Sequence, residues 1–91
     1  MSEIQAELVI QNQKGLHARA AAAFVKCIGD YDAEVRVMKD GQEVDGSSIL
    51  GLMMLGASKG STITVKASGN QAQEVINSVS LLINSLFGEE M

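Results

Sequence analysis

The sequence predicts an α+β fold in which three helices cover one face of a four-stranded, mainly antiparallel sheet. Four segments alternate apolar and polar residues with the period of two that a half-buried strand requires. Three further segments favour helix, and the chain order reads strand, helix, two strands, helix, strand, helix. Because 91 residues support only one modest core, we expect residues 1–91 to form a single domain.

The four strands are predicted from alternation and from turn residues. Apolar side chains occupy every second position in residues 4–10 and again in residues 33–37. Asp40-Gly41 then gives a strong hairpin signal, so Gln42 to Asp45 should form the returning strand. Thr62 to Ala67 alternates in the same way and is rich in β-branched residues, which favours the fourth strand.

The helices are predicted from composition and spacing. Ala18 to Ile28 is alanine-rich, and Ser48 to Leu55 is a short apolar segment that ends before a glycine. Between Ala72 and Leu86, apolar residues recur at helical spacing. The boundaries predicted for this last helix are a capping pair at its start and a glycine at its end, Asn70 with Gln73 and Gly88.

Composition excludes several classes of function. The formal net charge is −4 and the basic residues are scattered, which argues against nucleic-acid binding. No apolar stretch approaches the roughly 18 residues needed to span a bilayer, so we expect no membrane association. Cys27 is the single cysteine and is expected to be a small buried side chain that forms no internal disulfide, which fits the cytoplasm.

The segment Gly15-Leu16-His17-Ala18-Arg19 lies between the first strand and the first helix. A helix N-terminus offers unpaired backbone N–H groups and a partial positive charge, both of which favour a bound anion. Imidazole is a nucleophile near neutral pH, and the guanidinium of Arg19 matches phosphate oxygens. A lone histidine there can equally be a helix cap, and the arginine a solvated charge. Spacing alone favours that simpler interpretation.

Longer motifs favour the interpretation that His17 and Arg19 hold a phosphoryl group. The run from Gly15 to Val25 resembles the active-site signature of the HPr family, the histidine-containing phosphocarriers of the bacterial phosphoenolpyruvate-dependent phosphotransferase system. The segment Ser48 to Gly56 resembles the family's regulatory-serine motif, and Lys59-Gly60-Ser61 resembles the turn before its last strand. The likeness covers nearly the whole chain and implies the HPr-like open-faced β-sandwich with the order βαββαβα.

The resemblance implies a stoichiometric phosphoryl carrier rather than an enzyme. His17 would carry the phosphoryl group on its δ1 nitrogen, with Arg19 and Ala18 in contact with the phosphate. Enzyme I would be the donor and enzyme IIA proteins the acceptors, in sugar transport or in the nitrogen-related NPr branch. We expect a monomer without a cofactor. Many family members have proline where this chain has Ala20, which leaves open how rigid the His17 loop is.

Ser48 carries a second expectation. Either Ser47 or Ser48 could be an ordinary N-cap of the short helix. In HPr proteins of some bacteria, the serine that matches Ser48 is phosphorylated by an ATP-using kinase, HPr kinase/phosphorylase. A dianion there would repel acidic partner surfaces. The alternative function is therefore a non-catalytic regulatory binding module controlled by Ser48, although the presence of His17 and Arg19 argues against it.

An apolar set near His17 could dock partner proteins. Scattered surface apolar residues are common, but the family docks through its first two helices, and methionine provides an adaptable contact surface. The residues assigned to docking are Leu16, Ala20, Ile49, Leu50, Met53 and Met54. We predict no metal site, because one histidine and one cysteine provide too few ligands.

Overall fold

A computed structural model describes residues 3–89, so residues 1–2 and 90–91 of the predicted domain lie outside the described part. It confirms the predicted fold class and element order. The elements are β1 (Glu3–Val9), α1 (Ala18–Ile28), β2 (Glu34–Lys39), β3 (Gln42–Asp45), α2 (Ile49–Met54), β4 (Thr62–Ser68) and α3 (Ala72–Asn84), followed by a 3₁₀ turn (Leu86–Gly88).

The sheet has the strand order β1-β4-β2-β3, and every neighbouring pair is antiparallel. The strand β4 therefore lies inside the sheet, where Ile63, Val65 and Ala67 are buried on the face that meets the helices. Its alternate residues face the other way, as the period of two requires. This topology brings the loop after β1 and the loop before β4 together at one end of the sheet, since β1 and β4 are paired.

The core lies between the sheet and the helices α1 and α3. Each helix contributes one apolar face, because residues three and four apart in a helix point the same way. The buried helical side chains are Ala20, Ala21, Phe24 and Ile28 from α1 and Ala72, Val75, Ile76, Val79 and Ile83 from α3. Among residues 3–89, no helix is both long enough and apolar enough to cross a membrane.

The predicted start of α3 is wrong in its capping pair. The Asn70 amide donates a hydrogen bond to the Asp32 carboxylate at 2.9 Å, and the Gln73 amide bonds to Asn77 instead. Gln71 occupies the cap position without a capping side-chain bond, and its amide oxygen accepts from the Asp32 N–H at 2.7 Å. The loop before β2 thus takes the polar groups that sequence spacing assigned to the helix end.

The predicted end of α3 is also too late. The helix stops at Asn84, and Leu86 and Phe87 follow with positive φ angles of 61° and 55°. Phe87 is only 7% exposed, so this turn is anchored by burial of its ring. The turn redirects the chain, and it carries Glu89 to the start of α1, where its carboxylate contacts His17.

Candidate functional site

His17 is the N-cap residue of α1. Its backbone is extended, with φ −81° and ψ −176°, and its carbonyl accepts the N–H of Ala21 at 2.8 Å. The ring turns back over the first helical turn, where Nδ1 accepts the N–H of Arg19 at 3.3 Å. The imidazole therefore occupies the place where a helix N-terminus would receive an anion.

The loop before His17 is tied down by hydrogen bonds on both sides. The Leu16 N–H donates to the carbonyl of Ala57 at 2.8 Å, which joins this loop to the one that enters β4. The Asn12 amide donates to the carbonyl of Gly15 at 2.8 Å, and the Gly15 N–H donates to the carbonyl of Asn12 at 3.2 Å. These bonds limit the freedom of the loop that presents the ring, with alanine rather than proline at position 20.

A carboxylate from the far end of the chain completes the surroundings of the ring. Glu89 Oε2 lies 2.5 Å from Nε2 of His17, and Glu89 Oε1 accepts from the Asn12 amide at 2.9 Å. The side chains of His17 and Glu89 are 26% and 14% exposed. The hydrogen bond from Asn12, assisted by the bond to His17 and by the charge of Lys14, lowers the pKa of Glu89 below its usual range.

An open depression of about 200 Å³ lies beside the ring. Its lining consists of Lys14, Leu16, His17, Gly56, Ala57 and Ser58. The charge of Lys14 and the hydroxyl of Ser58 give it groups that suit a small anion. Ala18 and Arg19 lie on the exposed side of the first turn of α1, so both are accessible from solvent.

Ser48, one of the two serines that the sequence offered as a cap, is the N-cap of α2. Its Oγ accepts the N–H of Gly51 at 2.9 Å, which satisfies one of the free donors of this helix end. Ser47 instead donates from its N–H and its hydroxyl to the carboxylate of Asp45, the last residue of β3. Of the two serines that the sequence left open, Ser48 and not Ser47 caps this helix.

Apolar side chains on α2 face outward. Leu52 is fully buried, whereas Leu50 and Met54 are 68% and 64% exposed. Ile49 and Met53 are each 41% exposed. These four exposed residues form what we call the α2 patch, and the segment directly after α2 leads into the depression beside His17.

Two of the residues assigned to docking are wrong for that role. Leu16 is 5% exposed and Ala20 is fully buried, and both belong to the hydrophobic core. Ala20 lies four residues before Phe24, so both point inward on the same face of α1. Leu16 and Ala20 are close to His17 in sequence but are not exposed, because α1 begins to pack against the core directly after its cap.

Sequence reasoning missed Asn12, Lys14 and Glu89. Asn12 is a fully buried polar residue, a class that usually marks a structural hydrogen-bond network. Glu89 is separated from His17 by 72 residues, and no local pattern links them. The turn after α3 makes the contact, and two of its three positive φ angles fall on Leu86 and Phe87, residue types that give no turn signal.

Cys27 is partly buried against the core, close to its predicted role. Burial raises the pKa of its thiol, and the charge of Asp30 adds to this effect. A raised pKa keeps a thiol protonated and unreactive.

Comparisons with known proteins identify the family of this chain. A family described as the PTS HPr component phosphorylation site matches residues 4–85. The phosphocarrier protein HPr of Pseudomonas aeruginosa is 45% identical over 84 residues, covering 91% of this chain and 93% of the relative. The phosphocarrier protein NPr of Shewanella violacea is 32% identical over 89 residues, covering 98% of each chain.

A crystal structure of HPr from Thermoanaerobacter tengcongensis has the same fold. It superimposes with a TM-score of 0.88 at 40% sequence identity and covers 100% of both chains. The similarity of fold and the similarity of sequence thus agree. This chain belongs to the HPr family, the phosphocarrier proteins of the phosphotransferase system.

Proposed function

We propose that His17 is the residue of this phosphocarrier that bears the phosphoryl group, on Nδ1. Enzyme I is the proposed donor and enzyme IIA proteins are the proposed acceptors, in the cytoplasm. One observation carries the proposal: Nδ1 faces the N–H of Arg19 at the start of α1. A nucleophilic nitrogen and an anion-binding helix end are thereby combined in one place.

The geometry accounts for how the phosphoryl group would be held. When Nδ1 forms a bond to phosphorus, it can no longer accept the Arg19 N–H, and the new phosphoryl oxygens take over as acceptors. The N–H groups of the first turn and the partial positive charge of the helix end stabilise them, by about 0.3–1 kcal/mol for an exposed helix end. The guanidinium of Arg19 adds charge-assisted hydrogen bonds.

Transfer between two proteins requires a docking surface as well as a nucleophile. Phosphorus must lie roughly in line between the donor and acceptor atoms, so catalysis is mostly positioning. The α2 patch provides exposed apolar area next to the depression at His17. We assign this surface to the docking of both enzyme I and enzyme IIA, since a carrier must meet its partners in turn.

The direct test is incubation with enzyme I and phosphoenolpyruvate labelled at phosphorus. We expect the wild-type protein to take up one acid-labile phosphoryl group, as a phosphohistidine does, and the His17→Ala variant to take up none. Ser48→Ala is the matched control and should label like the wild type. Acid-labile label that persists in His17→Ala would overturn the assignment.

The enzyme IIA protein that accepts the phosphoryl group decides whether this protein serves sugar transport or the nitrogen-related NPr branch. Labelled protein is mixed with a sugar-specific enzyme IIA and, separately, with a nitrogen-type IIA protein, and the rate of transfer is compared. Faster transfer to the sugar-specific protein assigns transport, and faster transfer to the nitrogen-type protein assigns the NPr branch. A pull-down whose bound proteins ignore His17→Ala but change with Ser48→Asp would favour the regulatory binding module instead.

Ser48 supports a second, regulatory proposal. Its Oγ already accepts an N–H at the start of α2, so phosphate oxygens there would meet the same donor. The site adjoins the α2 patch, and an added dianion would oppose docking of acidic partners. Incubation with ATP and HPr kinase/phosphorylase should label the wild type and Ser47→Ala but not Ser48→Ala. Equal labelling of Ser47→Ala and Ser48→Ala would exclude Ser48 as the phosphorylated serine.

A further inference from the structure

We propose that Glu89 is a positioning residue for His17: its carboxylate fixes the ring tautomer that leaves the lone pair of Nδ1 free for phosphorus. This inference rests on the proposed function, because it explains why Nδ1 rather than Nε2 would be the nucleophile. It assigns a role in phosphoryl transfer to the chain segment after α3.

The tautomer follows from the two partners of the ring. A backbone N–H can only donate, so Nδ1, which meets the Arg19 N–H, must be the acceptor. The ring proton of neutral imidazole is then on Nε2, where the Glu89 carboxylate accepts it at 2.5 Å. An ionised carboxylate is an acceptor only, and the lowered pKa of Glu89 keeps it ionised.

The carboxylate is itself fixed in place by Asn12. The Asn12 amide nitrogen has two acceptors, the Gly15 carbonyl at 2.8 Å and Glu89 Oε1 at 2.9 Å. An amide flip would turn the Asn12 oxygen toward both acceptors, so the observed orientation is the favourable one. Asn12 is fully buried, and its Oδ1 lacks a protein partner among residues 3–89. The two hydrogen bonds made by its NH₂ group therefore offset the free-energy cost of removing this amide from water.

The chain segment that carries Glu89 is also anchored. Phe87 is buried against the core, and the Glu89 N–H donates to the carbonyl of Leu86 at 2.9 Å. The carboxylate is thus held from two directions, by its own backbone turn and by the loop that contains Gly15. A side chain with 14% exposure and two hydrogen bonds has lost most of the freedom of a surface glutamate.

The fixed proton matters during transfer. The proposed donor, enzyme I, would carry the phosphoryl group on a histidine of its own. The lone pair of Nδ1 of His17 forms the new bond to phosphorus while the nitrogen–phosphorus bond of that phosphohistidine breaks, and the electron pair of the broken bond returns to the donor's imidazole ring. His17 retains its Nε2 proton, so its ring becomes positively charged as the phosphoryl group arrives. The Glu89 carboxylate, on the opposite side of the ring, offsets this charge without blocking the path of phosphorus.

The experiment compares Glu89→Ala and Glu89→Gln with the wild type. Glu3→Ala is the control, because it also removes one carboxylate but lies at the start of β1, about 20 Å along the strand from its end near the loop. The first readout is the pair of ¹⁵N chemical shifts of the His17 ring, measured at a pH of about 8.5, above the ordinary titration range of imidazole. The second is the rate of phosphorylation by limiting enzyme I.

We expect the wild type and Glu3→Ala to show one dominant tautomer, with the proton on Nε2. Glu89→Ala should show a mixture and a rate lower by about tenfold or more, the loss expected for one charge-assisted hydrogen bond. Glu89→Gln should keep part of the tautomer preference, since its single amide oxygen can accept from Nε2. It should be slower than the wild type, because the charge is gone and its NH₂ group then faces the Asn12 NH₂ group, which is also a donor.

Unchanged ring shifts in Glu89→Ala, or an unchanged rate, would overturn the proposal. Circular dichroism checks that each variant is folded, and Glu89→Gln keeps the size of the side chain if the alanine variant is perturbed. The tautomer readout needs no partner protein. If the wild type were never phosphorylated on His17, the proposed function would fail while the ring shifts still reported on Glu89, so the two failures are distinguishable.

Discussion

Gly15 lies so close to Ala57 that a Cβ on the glycine would be 2.5 Å from the alanine carbonyl oxygen. Its φ angle of +66° is also one that side-chain-bearing residues rarely adopt. The same Ala57 carbonyl accepts the Leu16 N–H at 2.8 Å. The loop that presents His17 and the loop that enters β4 therefore meet at a position where only glycine fits.

Gly15→Ala should be among the most damaging loop substitutions. The left-handed conformation costs about 1–2 kcal/mol for alanine, and the clash with backbone adds about 1–3 kcal/mol. Gly41→Ala is the control, because its φ is +83° but nothing lies within 4 Å of the added Cβ. Urea unfolding should show a clearly larger loss for Gly15→Ala. Equal losses would mean that the close approach to Ala57 is unimportant.

Ser48→Ala tests the cap of α2. Loss of the bond from the Gly51 N–H should lower the free energy of unfolding by about 1 kcal/mol, as for other N-cap serines. Ser47→Ala, whose hydroxyl bonds only to the exposed Asp45, should cost less. Thermal or urea unfolding of both variants measures the difference, and a larger effect at Ser47 would contradict the capping assignment.

Leu50→Glu tests docking through the α2 patch. Leu50 and Leu81 are 68% and 70% exposed, so a glutamate at either position should change stability by less than about 0.5 kcal/mol. Leu50→Glu should nevertheless raise the KM for phosphorylation by enzyme I several-fold, because it places a charge in an apolar contact. Leu81→Glu, on α3, should leave the KM unchanged. Similar KM values for the two variants would rule out a docking role for Leu50.

Glu43 should make the stability depend on acid pH. Its carboxylate bonds to Lys66 at 3.0 Å and Arg36 at 2.6 Å across the open face of the sheet, and these bonds lower its pKa. Folding thus favours the charged form. The resulting stabilisation is complete above the ordinary glutamate pKa of about 4.3 and is lost as the pH falls through the lowered value.

The measurement is the melting temperature between about pH 2 and 7. Glu43→Gln should melt lower than the wild type near neutral pH, and the gap should close in acid. Glu7→Gln is the control, since Glu7 faces Thr64 across the β1–β4 pair rather than a cation. A difference in melting temperature between the wild type and Glu43→Gln that stays constant with pH would show that the carboxylate charge of Glu43 does not stabilise the fold.

The local pattern predicted much of the fold because the relevant forces are local. Alternation placed the strands, and alanine content with a following glycine placed α1 at the observed bounds, Ala18–Ile28. A serine cap for α2 was predicted at Ser47 or Ser48, since an N-cap bond reaches only three residues along the chain, and the structure assigns it to Ser48. The α3 caps were wrong because Asn70 and Gln71 bond to the distant Asp32, a competitor that local spacing cannot reveal.

The amino-acid sequence by itself determined the fold class, the helix start at His17 and the membership of a phosphocarrier family. Each of these depends on residue type, period or a contiguous motif. Only the tertiary structure decided that Leu16 and Ala20 are buried and that Glu89 reaches the ring of His17. Burial and a contact across 72 residues depend on how the loops and the turn after α3 pack in three dimensions, which no local pattern encodes.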